Sequence, residues 1–295
     1  MAIKESTPDR IFNFVNITLL TLVLIIVIYP LYYVVIASFS DPVMVNSGQV
    51  HLWPKGFNLS GYKRVFAYED IWRGYRNTTF YTALGTIINL VVTIPAAYAL
   101  SRKDLQGRNF IMALFTITMF FNGGLIPTYL VIKNLRMINT FWALMIPNAV
   151  STYNLIVSRT YMQNNIPLEL QEAATIDGCS TTRLFFRIII PLSAPIIAVM
   201  ALFYGVGHWN QYFSALLYIS NEKLKPLQLV LREILLQSQH LASTSSDFES
   251  MAEQAKLAES IKYCVIIVSS LPVLVVYPFL QKYFTKGIML GAIKG

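Results

Sequence analysis

The residues best suited to a specific interaction form a short polar segment between two long apolar stretches. The segment runs from Glu172 to Gly178 with the sequence EAATIDG, and the sequence IIIP follows at 188–191. Glu172 offers a carboxylate that a guanidinium on another protein can bind, and Ala173 and Ala174 are small enough to let a surface approach the backbone. Residues of these types at this spacing suit the docking of a soluble partner.

The sequence around this segment predicts two short helices joined by a turn. In the sequence NNIP at 164–167, an Asn is predicted to cap the first helix and Pro167 to lie in its first turn. The helix is predicted over 168–176 and ends at Gly178, which tolerates a left-handed backbone. Ser180 is predicted to cap a second helix that runs towards Pro191. An amphipathic connector lying on lipid is the alternative, but 168–178 holds none of the basic residues such a helix favours.

The composition of the whole chain indicates a membrane protein that must hold this segment in water. The chain has 295 residues, of which 55% are hydrophobic and 13% charged, whereas about 25% is usual for a soluble domain. Six windows contain no Asp, Glu, Lys or Arg, and each is near or above the roughly 20 residues that a membrane-crossing helix needs. We therefore predict an all-α integral membrane protein with six spans, the first being a retained anchor rather than a signal peptide. The predicted spans are about 14–38, 79–101, 110–131, 141–158, 190–218 and 262–281.

The orientation follows from the even number of spans and from one short loop. An even number puts both termini on the same side, and the loop 102–108, with Arg102, Lys103 and Arg108, favours a cytosolic N-terminus. Residues 1–10 and 282–295 are then cytosolic, as is the loop 159–189 that carries the polar segment. Residues 11–281 form one membrane domain.

The sequence contains no motif that would let the chain drive transport or catalyse a reaction by itself. No Gly-Lys dipeptide occurs, so there is no phosphate-binding loop, and the six windows lack the ionisable residue on which most secondary carriers depend. A sodium-driven carrier whose sodium site is formed by carbonyls and hydroxyls stays an alternative. His208 has no acid near it in sequence and is interpreted as a hydrogen-bonded interfacial residue, while Cys179 and Cys264 predict neither a disulfide nor a metal site. The net charge of +8 suits a membrane surface, and no pattern typical of nucleic-acid binding is present.

Two groups of residues are candidates for a substrate path. Trp209, Asn210 and Tyr212 offer aromatic faces and an amide, which suit a pyranose ring; an aromatic belt at the membrane interface is the alternative interpretation. Asn122 begins the sequence NGGLIP, which interrupts the third predicted span. Gly and Pro there permit local unwinding beside a solvated path, or a simple packing kink.

The spacing Glu-Ala-Ala, three residues, Gly, nine residues, Ile-x-x-Pro resembles the EAA loop of ABC importer permeases. With AYALSR at 97–102, WN at 209–210 and the tail 283–295, almost the whole chain is similar to the maltose-type permeases of carbohydrate importers. NGGLIPTY at 122–129 and GHWN at 207–210 resemble the branch that takes up complex oligosaccharides, pectin-derived or lipo-oligosaccharide-type, in Gram-positive bacteria. Cys179 and Ile190 depart from the family's usual Ala and Leu.

This resemblance implies a type I ABC importer permease fold and a role as a transport subunit without catalytic activity. It implies a second, different permease, two ATPase subunits that bind ATP and Mg, an extracellular sugar-binding lipoprotein and an oligosaccharide substrate, all at the plasma membrane. No cofactor is expected on this chain. The residues implied to dock the ATPase are Glu172, Ala173, Ala174, Asp177, Gly178, Ile188 and Pro191. An ABC permease for an amino acid or peptide and a stand-alone carrier are the alternatives.

Overall fold

A computed structural model of the chain describes residues 6–244, 261–275 and 278, and every element within these ranges is a helix. The all-α prediction is confirmed for this part of the chain. The predicted tail 282–295 and the first five residues lie outside it. Contacts between Cα atoms divide the chain into two units, Met1–Glu69 with Leu231–Ser270 and Asp70–Val230 with Leu271–Gly295.

The first unit contains the most apolar helix. Helix α1 (Thr7–Ser38) begins at Ser6, which forms a capping box with Asp9, and only 6% of its apolar window is buried within the chain. Its last turn packs into a small core with residues that follow it, Val45 and Val50 among them. Two short helices, α2 (Pro42–Asn46) and α3 (Ser60–Ala67), complete the N-terminal part of this unit.

The second unit is a bundle of helices of unequal length around the long helix α4 (Glu69–Ser101). After it come α5 (Arg108–Phe120), α6 (Leu125–Asn134), α7 (Trp142–Met145), α8 (Thr152–Asn165) and α9 (Leu168–Ile176). Three joined segments follow, namely α10 (Thr181–Leu184), a π-helix (Phe185–Ile189) and α11 (Ile190–Leu192). The later helices are α12 (Ala194–Trp209), α13 (Phe213–Tyr218), a 3₁₀ turn (Glu222–Leu224) and α14 (Leu227–Thr244), which continues into the first unit. Helix α15 (Ile261–Val275) belongs to the first unit up to Ser270 and to the second unit from Leu271.

Two of the predicted spans are sharply bent. Helices α5 and α6 meet at 114°, since Gly124 adopts φ +89° and its N–H bonds to the side chain of Asn122. The helix Thr181–Leu192 meets α12 at 77°. There Pro191 and Pro195 each lack the backbone N–H that an α-helical hydrogen bond needs. The π-helix before Pro191 accommodates the resulting break in the hydrogen-bond pattern. The interruption at Asn122 is therefore a change of direction far larger than a packing kink.

Several described helices have the length and composition of membrane-spanning segments. By length and composition α1 and α4 can cross a bilayer, and four segments can do so if each bent pair is one span. The window 141–158 is divided between the short α7 and α8, which continues to Asn165, and α15 is a shorter apolar helix. The count of six spans stays a prediction.

Candidate functional site

The polar segment forms the helix–turn–helix that its sequence predicts. Helix α9 (Leu168–Ile176) ends in a Schellman motif, in which the N–H of Cys179 bonds to the carbonyl of Ala174 and that of Gly178 to Thr175. Gly178 has φ +70°, as the prediction requires. Ser180 caps α10 by accepting from the N–H of Arg183, which is also confirmed.

The predicted start of α9 is wrong in one respect. Asn165 is the last residue of α8, and its side chain donates to the carbonyl of Tyr161 rather than capping α9. Pro167 lies before the helix, in the capping position, with extended backbone angles and no side-chain bond. The first residues of the predicted loop 159–189 therefore belong to α8.

One face of α9 is open to solvent. Glu169, Glu172, Ala173 and Ile176 recur at helical spacing, and all four are exposed. Ile176 is 86% exposed, which is unusual for an isoleucine. Asp177 and Gly178, just beyond the helix, are also exposed. We call these four helical residues the outer stripe of α9.

The opposite face of α9 is held by the rest of the second unit. Ala174 is 7% exposed and belongs to a buried cluster that also contains Leu184, Ile189, and residues of α4 and α8. Its small side chain therefore serves packing within this chain, whereas the equally small Ala173 faces outwards. Ile188 packs partly buried against the same cluster, and Pro191 is exposed at the bend.

Tyr98, near the end of α4, contacts both the π-helix and α9. The rings of Tyr98 and Phe185 lie 5.4 Å apart, and the Tyr98 hydroxyl donates to Oε1 of Gln171 on α9 at 3.5 Å. Arg102 in turn donates to the Tyr98 hydroxyl at 3.2 Å. In α8, Arg159 donates to the carbonyl of Leu100. Helices α4, α8 and α9 are thus tied together at one end of the unit.

Arg102 also forms a surface ion pair with Asp104 at 2.6 Å. The hydrogen bond from Arg102 lowers the pKa of Asp104, and the same pair raises the pKa of Arg102. A carboxyl group whose pKa is lower in the folded than in the unfolded state stabilises the fold at pH values above its unfolded pKa, near 3.8. This contribution is lost only as the pH falls through the lower pKa of the folded state. The pair is therefore fully ionised throughout the neutral range.

We expect Asp104→Asn to change stability by at most about 1 kcal/mol, because the Asp104 side chain is 65% exposed and water screens the pair. Thermal unfolding of the purified protein in detergent, followed between about pH 6 and 8, should give nearly the same Tm for both proteins at each pH. A large or strongly pH-dependent loss within this range would contradict this reading of the pair.

The candidate substrate-path residues are not brought together. Trp209 is buried, packs near Tyr75, and lines an apolar cavity of about 370 Å³ with small residues such as Gly205. The Asn210 side chain donates back to the carbonyl of Val206, and Tyr212 is 44% exposed beside Phe213. Asn122 is exposed at the α5–α6 bend.

A polar network instead surrounds Asn89 in the middle of α4. Its side-chain nitrogen donates to the carbonyls of Asn148 and Ala149, both at 2.8 Å, and its oxygen lies 2.7 Å from Nε2 of His208. Since the amide hydrogens are used on carbonyls, Asn89 Oδ1 is the acceptor and His208 Nε2 carries the proton. Gly85, one turn earlier, leaves room for the imidazole ring, because a Cβ there would lie 2.5 Å from Nε2. His208 is hydrogen-bonded, as interpreted from sequence, but it is buried.

Beside this network lies a second cavity, of about 320 Å³. Its polar lining comes from the start of α8 and its preceding linker, the end of α12 and the residues after it. These polar residues are Asn148, Ser151, Asn154, His208, Gln211 and Ser214. Apart from His208, which the sequence analysis singled out, the sequence marks these residues only as polar residues within charge-free windows.

Comparisons with known proteins agree with the fold. The profile of a family described as "Binding-protein-dependent transport system inner membrane component" matches residues 71–288. Protein LplC of Bacillus subtilis is 42% identical over 291 residues, covering 99% of this chain and 97% of LplC. The polygalacturonan/rhamnogalacturonan transport system permease protein YtcP of the same organism is 39% identical over 287 residues, covering 97% and 99%. The crystal structure of a bacterial ABC transporter involved in importing the acidic polysaccharide alginate matches with a TM-score of 0.83 and 31% identity, over 96% of this chain and 100% of that chain.

These features define a membrane-embedded transport subunit of the type I ABC importer fold. The chain belongs to the family of binding-protein-dependent transport system inner membrane components. Members of this family are permease subunits rather than enzymes, and they work with a separate ATPase and a substrate-binding protein.

Proposed function

We propose that this chain is one of two different permeases of an importer for oligosaccharides, driven by two ATPase subunits through α9 and supplied by an extracellular sugar-binding lipoprotein. YtcP is named for polygalacturonan and rhamnogalacturonan, and the structural relative imports alginate, so polymeric sugars recur among similar proteins. We propose that the chain lies in the plasma membrane of a Gram-positive bacterium with both termini in the cytosol. The basic loop 102–108 supports this orientation, since Arg102 bonds to the Tyr98 hydroxyl and that hydroxyl donates to Gln171 of α9.

The observation that carries the docking role is the outer stripe of α9. An isoleucine that is 86% exposed, beside an exposed carboxylate and an exposed alanine, forms a small surface with an apolar centre and a charge. Such a composition is typical of an interface core next to a residue that fixes orientation. The buried opposite face, with Ala174 in the cluster, means that a force on α9 reaches α4 and α8.

The geometry supports a simple coupling mechanism. ATP-driven closure of the two ATPase subunits displaces α9, and α9 moves the ends of α4 and α8 because Tyr98, Gln171 and Ala174 join them. At 1.5 Å per residue, α8 extends for about 20 Å. It begins at the polar cavity and ends at the cluster that holds α9. Movement of the loop therefore changes the walls of the cavity.

Purification of the complex through a tag on this chain tests the proposal. We expect a second permease, an ATPase and a sugar-binding lipoprotein to co-purify, and mass spectrometry identifies them. In proteoliposomes, the ATPase activity of this complex should rise when the binding protein carries an oligosaccharide and not when it is offered amino acids. Recovery of the chain without an ATPase, or solute accumulation by vesicles that contain this chain alone, would refute the proposal.

A further inference from the structure

The cavity beside Asn89 has the size and composition of a ligand site. Its volume of about 320 Å³ lies at the lower end of the range for small-molecule pockets, which is about 300–1,000 Å³. Amides and hydroxyls form most of its polar lining, although it lies among charge-free, apolar stretches of sequence. Polar residues in such stretches usually line a solvated path or a binding site.

Asn154 is the most informative of the lining residues. It is 7% exposed and lines the cavity, yet its side-chain amide makes no hydrogen bond to any residue in the described part of the chain. The amide is therefore accessible from the cavity and available to bond a ligand or water there. Ser151 accepts from the N–H of Asn154, so its hydroxyl hydrogen remains available to a ligand. Ser214 offers a further hydroxyl.

The walls of the cavity are held in place by bonds that do not use these groups. Asn89 fixes the backbone at Asn148, and the Tyr204 hydroxyl accepts from the N–H of Ser151. The side-chain nitrogen of Gln211 donates to the carbonyl of Leu144. A site whose frame is bonded independently of its ligand is preorganised, so less free energy is lost when the ligand binds.

The charges of the lining decide which ligand fits. Within the part of the chain that the structure describes, the residues lining this cavity include no Lys, Arg, Asp or Glu, and His208 already uses Nε2 on Asn89. A carboxylate would lose its hydration here without gaining a cationic partner, whereas sugar hydroxyls can both donate to and accept from amides. Phe203 adds an aromatic face against which a sugar ring can pack.

We propose that this cavity is a subsite for one uncharged, hydroxyl-bearing sugar ring of the transported oligosaccharide, with Asn154 and Ser214 as specificity-determining residues. The proposal rests on the proposed function. It adds that this permease itself contacts the sugar and selects against a uronate at this position. Any acidic ring of a mixed oligosaccharide then lies outside this subsite.

The test compares two probes in proteoliposomes that hold the complete complex with its binding protein. The probes are a neutral galactotetraose and a tetragalacturonate. We expect Asn154→Leu to raise the KM for galactotetraose uptake by about tenfold or more, because the substitution removes the hydrogen bonds of the amide at similar volume. Ser158→Ala is the matched control, since Ser158 lies one turn further along α8, buried and outside the cavity, and its KM should stay within about twofold.

The outcomes separate the two proposals. Failure of the wild-type complex to take up either probe would count against the oligosaccharide function itself. If uptake occurs but Asn154→Leu and Ser214→Ala both keep the wild-type KM, the cavity is not a subsite. Two results would overturn the proposal that the subsite takes an uncharged ring. One is uptake of tetragalacturonate but not of galactotetraose by the wild-type complex, and the other is an equal rise in the KM for both probes in Asn154→Leu. Asn154→Ser serves if the leucine variant does not assemble, and it should also raise the KM for galactotetraose.

Discussion

Charge reversal at Glu172 should abolish uptake while leaving the chain folded in the membrane. Glu172 is exposed on the outer stripe, and Lys is at least as good a helix former, so Glu172→Lys costs the fold little. At the interface it replaces an attraction to a partner cation by a repulsion, a change worth several kcal/mol when the pair is desolvated. We expect uptake in proteoliposomes to fall by about two orders of magnitude, and the ATPase to dissociate during purification.

Glu69→Lys provides the control for this prediction. Glu69 is also exposed, and it is the first residue of α4. It precedes the predicted span 79–101, so the sequence predicts that it lies on the opposite side of the membrane from the loop 159–189. The same reversal of charge there should keep uptake within about twofold of wild type. Uptake by Glu172→Lys at the level of this control would show that α9 does not dock the ATPase through Glu172.

The second large effect is expected at Gly85, where two helices approach closely. A Cβ at Gly85 would lie within 2.8 Å of three atoms of the His208 ring, so the whole ring would have to move. His208 is buried and bonded to Asn89, and displacing it breaks that bond and disturbs the cavity wall. We expect Gly85→Ala to destabilise the protein by about 3 kcal/mol, through overpacking together with a lost buried hydrogen bond.

A matched glycine on the facing helix makes this prediction specific. At Gly205 of α12, the nearest atom to an added Cβ is 3.6 Å away, an ordinary contact, so Gly205→Ala should be neutral or slightly stabilising. Thermal unfolding in detergent compares the two variants. The double variant Gly85→Ala with His208→Ala should be more stable than Gly85→Ala alone. If Gly85→Ala unfolds at the wild-type temperature, the contact with His208 is not as tight as described.

The parts of the fold that sequence predicted well are those governed by local signals. The bounds of α9 and the caps at Gly178 and Ser180 depend on residues within one or two turns, and they were predicted correctly. The N-terminal cap of α9 was not predicted correctly, because an Asn near a Pro can also end the preceding helix, as Asn165 does by bonding to the carbonyl of Tyr161.

The sequence pattern could not predict the direction of the chain after each break or the tertiary contacts between helices. A charge-free window measures apolar length and not the path of the chain, so the 114° bend at Gly124 appeared only as an interruption. The polar cavity depends on Asn89 meeting residues 59 and 119 positions away, and no periodicity within a window predicts such a meeting. Aromatic content drew attention to Trp209 and Tyr212, whereas the cavity is lined mainly by less conspicuous amides and hydroxyls.

The isoleucine at the tip of α9 also bears on how a cell assembles the complex. If α9 docks an ATPase as proposed, a copy inserted without that partner leaves the apolar Ile176 side chain in the aqueous phase, where chaperones and quality-control proteases bind exposed apolar residues. Synthesis of the subunits in step would shield it. The abundance of this protein should accordingly follow the supply of its nucleotide-hydrolysing partner.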